Sequence, residues 1–158
     1  PLLGEVIGYG FSSDGSNISI PSDNGLLRAM QAAIKDASLT RAEIDYVCAH
    51  ATGTPVGDSR EAQNVHHFFG QGPCPPVASL KGIVGHELWM AGAAQVVYCI
   101  LMAQHGFTAA SANFEEPDEY SRKIHVLSKS LDEPPRTVLC NAAGFGGTNS
   151  CLALRLER

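Results

Sequence analysis

The segment Ser79-Leu80-Lys81-Gly82-Ile83-Val84-Gly85-His86 constrains the chain most. It begins in an apolar run, Pro76 to Leu80, that reads as a short buried strand. It leads into a long apolar segment, roughly Gly85 to Gln104, that reads as a buried helix. Lys81 and His86 fall between them, in the connecting loop and first turn. A cation and an imidazole at the mouth of a buried helix need partners or carry chemistry. The row Ala91-Gly92-Ala93-Ala94 predicts an element packed close to the helix backbone.

Glu5–Phe11 alternates as a strand. A polar loop follows, with Asp23 or Asn24 placed to cap a helix over Gly25–Ala37, where Leu26, Met30, Ala33 and Ile34 recur at helical spacing. Ile44–Ala49 is an apolar strand ending at His50. Thr52–Gly57 is a tight loop, and Asp58–Phe69 reads as a helix opened by acids. Lys123–Lys129, Val138–Ala142 and Cys151–Leu156 read as strands, the last two joined by the glycine-rich, hairpin-like connection Gly144–Asn149. Alternating strands and helices, then paired strands, predict one α/β domain over residues 1–158, with parallel strands in its first part. His50 ends one strand and Lys81 with His86 follows another. The C-terminal edge of an open α/β sheet is the usual place for a site.

Composition narrows the function classes. The 158 residues are 44% hydrophobic with net charge −5 and no basic cluster, so nucleic acid is a poor partner. Gln95, Gln104 and His105 interrupt the long apolar segment, which predicts a core helix and no membrane span. Five cysteines, mostly in apolar runs, predict reduced thiols and a cytoplasmic setting. Pro1 in place of Met points to a chain cut from a longer one. No CxxC or HxxxH occurs, so no metal site is expected, and no Gly-x-Ser-x-Gly elbow supports a serine hydrolase. The glycine turn is followed by a strand, so no helix N-terminus waits there for a phosphate. His66, His67, His105 and His125 are explained by a half-buried helix face, a helix C-terminus and a strand.

Three stretches in order resemble the motifs of β-ketoacyl synthases: His50-Ala51-Thr52-Gly53-Thr54-Pro55-Val56-Gly57-Asp58, Ser79-Leu80-Lys81 through Gly85-His86, and Asn141 through Asn149. The resemblance implies the C-terminal half of a thiolase-like fold, a mixed sheet flanked by helices. It implies a decarboxylative Claisen condensation of malonyl thioester, carried on the phosphopantetheine of an acyl carrier protein, with an acyl-cysteine, in fatty acid or polyketide biosynthesis. No other cofactor is implied. By resemblance His50 and His86 stabilise the enolate, Lys81 pairs with Asp58 and Glu61, and Thr52 and Thr54 hold the pantetheine arm. The backbone N–H of Phe145 forms half of an oxyanion hole, and Ala143 and Trp89 border the acyl pocket. No cysteine stands in the family's nucleophile setting. An N-terminal half supplying that cysteine, and a dimeric complete enzyme, are therefore implied partners. Trp89, Gln95 and Ala143 depart from the family pattern and motivate an alternative: a non-catalytic subunit like a chain-length factor.

Overall fold

The computed structural model describes residues 1–15 and 17–157. Five strands form one sheet: β1 (Gly4–Ser13), β2 (Tyr46–Cys48), β3 (Val77–Ala78), β4 (Thr137–Gly144) and β5 (Thr148–Leu156), in the order β1-β5-β4-β2-β3. β2 pairs in parallel with β3 and β4, while β5 runs antiparallel to β1 and β4. The neighbours β4, β2 and β3 therefore end on one edge of the sheet. Each is followed at that edge by a segment singled out above: the Phe145 turn, His50 and Lys81.

Alternation along the central strands builds two cores. Val47 of β2 and Leu139 of β4 face α1 (Gly25–Asp36) and α2 (Pro55–Phe69), where Met30, Ala33, Val65 and Phe68 complete the layer. Tyr46, Cys48, Val138 and Cys140 face the other way, against Cys99, Met102 and Ala103 of α4 (Ala91–His105). α1 lies directly on β1. A Cβ at Gly10 would stand 1.9 Å from the Ala29 carbonyl oxygen, so the approach requires glycine. α4 ends at Gly106, whose left-handed φ of 77° lets the following Phe107 N–H also reach the Met102 carbonyl, at 3.2 Å.

Several boundaries differ from the sequence reading. The apolar segment from Gly85 is not one helix. Lys81–Val84 forms a single-turn helix, α3, which Gly85 ends at φ 81°, and a 3₁₀ turn over Leu88–Met90 precedes α4. Leu88 itself takes a left-handed φ of 52°. Two consecutive breaks thus interrupt a stretch whose side chains alone favour helix. The close approach expected at Ala91–Ala94 is an ordinary contact, since a Cβ at Gly92 would sit 3.7 Å from Ala142 Cβ. Neither Asp23 nor Asn24 caps α1 through its side chain. Ser22 Oγ instead accepts from the Gly25 N–H at 2.9 Å. α2 starts earlier, at Pro55, whose missing N–H costs nothing in a first turn. The strand expected over 123–129 does not form: a 3₁₀ turn, Ser121–Lys123, is followed by a turn at residues 124–125, and the chain meets β3 at Val126. There Val77 donates to His125 and Leu127 donates to Val77 around a lone parallel bridge at Val126.

Candidate active site

Two imidazoles meet at the sheet edge. The rings of His50 and His86 lie 5.8 Å apart, centroid to centroid, nearly perpendicular. His50 leaves the C-terminal end of β2. His86 follows the Gly85 break, which turns the chain out of α3 instead of carrying it onward as helix. The Leu88 N–H donates to His86 Nδ1 at 3.0 Å, so a neutral His86 carries its proton on Nε2, free to donate elsewhere. Burial pushes the His50 pKa down to about 4, helped by the positive charge of Lys81 and by His86. His50 is therefore neutral at physiological pH. Its Nδ1 is buried without a partner among the described residues.

The loop carrying His50 is held from beneath by Glu61 of α2. This carboxylate is 6% exposed. It accepts from the backbone N–H of His50 at 2.9 Å, the backbone N–H of Ala51 at 2.7 Å and Asn141 Nδ2 at 3.2 Å. Burial pushes its pKa up, and those donors and Lys81 pull against that shift. Asp58, one turn earlier, accepts from the Gly53 N–H and closes the Thr52–Thr54 loop, whose two hydroxyls lie 3.2 Å apart.

Lys81 does not form the expected ion pairs with Asp58 and Glu61. No such pair lies within salt-bridge distance, because both carboxylates are occupied by backbone N–H groups. The Lys81 ammonium donates instead to the His50 carbonyl oxygen. Burial lowers its pKa, while Glu61 chiefly, with Cys48, Glu87 and Asp58, opposes the shift. Ser79 completes the tie. Its Oγ donates to the Ala51 carbonyl at 2.8 Å and its N–H donates to Ser111 Oγ at 3.0 Å. The exits of β2 and β3 are thus cross-linked by side chains.

A small cavity of about 40 Å³ is bordered by His50, Thr52, Asp58, Ala143 and Asn149. A larger one of about 350 Å³ lies on the other side of the Asp58–Glu61 wall. It is bordered by Lys81, Ser79, Ser111 and Phe114. Phe145 is exposed at the tip of the β4–β5 hairpin, in a turn where Gly146 and Gly147 take φ near 80°. Trp89 is fully exposed and borders neither cavity, so the structure does not bring it to Ala143. Its expected place at the acyl pocket went with an unbroken helix from Gly85, which the breaks at Gly85 and Leu88 replace. Gln95 is buried and donates to the Ala49 carbonyl at 2.8 Å. The roles of Ser79, Ser111 and Asn141 in fixing the site were not read from sequence. Each depends on a contact between distant segments, and Ser111 lay in no motif.

The model of the β-ketoacyl synthase C-terminal domain matches residues 3–115. The chain belongs to the β-ketoacyl synthase family. Among its relatives is the 3-oxoacyl-[acyl-carrier-protein] synthase 1 of Escherichia coli K12. It is 38% identical over 154 residues, covering 98% of this chain and 37% of that protein. The chain thus spans little more than a third of the curated relative's length. A β-ketoacyl synthase from Burkholderia phymatum STM815 superposes with a TM-score of 0.90 at 34% identity, covering 98% of this chain and 38% of that one. A ketosynthase from Xenorhabdus doucetiae, solved in complex with its chain length factor, does so with a TM-score of 0.89 at 30% identity, covering 99% and 40%. These neighbours confirm the α/β fold expected for a ketosynthase-type C-terminal half. Among the described residues no helix is long and apolar enough to cross a membrane.

Proposed function

We propose that this chain is the C-terminal part of a condensing β-ketoacyl synthase, working with an N-terminal half that supplies an acylated cysteine. The observation that carries this reading is the His50–His86 pair at the sheet edge. Imidazole N–H groups that are not engaged elsewhere are suited to hold an oxygen on which negative charge develops. In the proposed reaction a malonyl thioester on an acyl carrier protein loses carbon dioxide. Its thioester oxygen becomes an enolate held by the two histidines. The enolate carbon attacks the acyl-cysteine carbonyl, whose oxygen takes up charge beside the Phe145 N–H. Collapse expels the cysteine thiolate and leaves a β-ketoacyl thioester on the carrier.

Lys81 and Glu61 act through His50. Lys81 disfavours a proton on the imidazole and fixes the carbonyl behind it. Glu61 fixes the N–H groups. Thr52 and Thr54 border the approach that a phosphopantetheine arm would take, and Ala143 the acyl side. The exposed apolar surface of Ile83, Leu88, Trp89 and Met90 is suited to be covered by the N-terminal half of the fold. Retention of both histidines favours this reading over a non-catalytic chain-length-factor-like subunit.

The test is His86→Ala in a complete synthase carrying residues 1–158. Loss of one such donor is expected to lower malonyl decarboxylation and condensation on the order of a hundredfold or more. Acyl transfer to the cysteine should continue. Undiminished decarboxylation would refute the proposed role and favour the non-catalytic subunit.

A further inference from the structure

Below the site, on the α4 side of the sheet, three cysteines from three elements converge. Cys48 of β2 and Cys140 of β4 are paired across the parallel ladder, and Cys99 projects from α4. All three sulfurs lie within 4.8 Å of one another, with Cys99 and Cys140 at 3.7 Å. None is in a disulfide, and all are buried. Two polar atoms in the same core layer lack hydrogen-bond partners among the described residues. One is the hydroxyl of Tyr46, whose pKa is pushed well up by burial first and then by its proximity to Cys48, Cys99 and Cys140. The other is Oε1 of Gln95, whose Nε2 approaches Cys48 Sγ at 3.5 Å. A buried orphan polar atom is costly and asks for an explanation.

We propose that Cys48, Cys99 and Cys140 form a binding site for a soft, thiophilic metal ion, best matched by monovalent copper. Thiolate sets select copper(I), zinc or iron–sulfur clusters over hard cations. A metal–sulfur bond of about 2.3 Å places three sulfurs of a trigonal site about 4.0 Å apart, so the cluster needs only small adjustments, with the Cys99–Cys140 pair widening slightly. Three sulfurs without a histidine or carboxylate suit a three-coordinate ion better than tetrahedral zinc. The ion binds as thiol protons leave to solvent, up to three per ion, with no change of oxidation state. Lys81 supplies nearby positive charge, and Tyr46 has a hydroxyl proton to donate to a metal-bound sulfur. The bound ion would tie β2, β4 and α4 together directly beneath His50.

The site is closed, so loading belongs to folding. The full-length protein would be refolded anaerobically with copper(I) under a competing chelator, then analysed for bound metal and by X-ray absorption at the copper edge. One tightly held ion per chain in an all-sulfur shell is expected, with three thiols protected from alkylation. Cys99→Ala and Cys140→Ala, each checked for native circular dichroism, should lose that ion. Should either variant not fold, the alkylation map of the unsubstituted protein decides, since protection must fall on residues 48, 99 and 140. Copper binding that survives either substitution would overturn the proposal. So would protection of other cysteines, no retained copper, zinc taken up in preference, or a Cys99–Cys140 disulfide in place of metal.

Discussion

Glu61→Gln isolates what positions His50. The substitution keeps the shape of the side chain and removes its charge. The glutamine oxygen can still accept from the His50 N–H, but its NH₂ then faces the Ala51 N–H, donor against donor, where a 2.7 Å bond stood. A hydrogen bond to a charged group is worth about 1.5–3 kcal/mol, and the stranded backbone donor adds to the loss. Burying a neutral amide in place of a carboxylate returns part of it. The net loss expected is about 2 kcal/mol, or roughly 4–8 °C in Tm for a chain of this length. Urea and thermal unfolding of the full-length protein would measure it. Because the His50 loop is released, turnover should fall further than stability alone requires, on the order of a hundredfold for an ångström of misplacement. A stability loss below about 0.5 kcal/mol with unchanged turnover would refute the reasoning.

Acid should weaken the fold through His50. Its folded pKa of about 4 lies below the ordinary 6.5, so between those values the unfolded chain holds a proton that the folded chain does not. Stability therefore falls as pH drops from about 6.5 towards 4, by up to about 3 kcal/mol. Urea titrations at several pH values should show that portion of the acid loss missing in His50→Asn. Gly10→Ala should be severely destabilising, because the added methyl would overlap the Ala29 carbonyl oxygen. Little soluble protein, or a Tm lowered by many degrees, is the expected result, and a near-native Tm would argue against the α1–β1 approach described.

The sheet edge was legible because it needs only strand ends. Apolar runs ending at His50 and Leu80, and a glycine turn after Val138–Ala142, place three chemistry-bearing segments together once the strands are parallel. The β1 and α1 periodicities were legible for the same reason: each is a local pattern. The break at Gly85 and Leu88 was hidden, since an isolated glycine is tolerated in helical patterns and leucine rarely adopts positive φ. The partner of Lys81 was misread because residue types announce which charges attract. They do not reveal that backbone N–H groups had already claimed both carboxylates. The thiol cluster left no spacing signal at all, its members standing 51 and 41 positions apart on separate elements.

The turn that carries Phe145 is not an independent fingertip. The Gly146 N–H donates to the Ile18 carbonyl, and the Gly147 carbonyl accepts from the Asp14 N–H, both at 2.8 Å. Asp14 is in turn paired with Arg28 of α1. The stretch between the first strand and first helix therefore acts as a tether on the amide at position 145. A displacement of Asp14 or Ile18 is therefore passed on to the backbone around position 145, so the shape of that hairpin tip is set as much from outside it as from within.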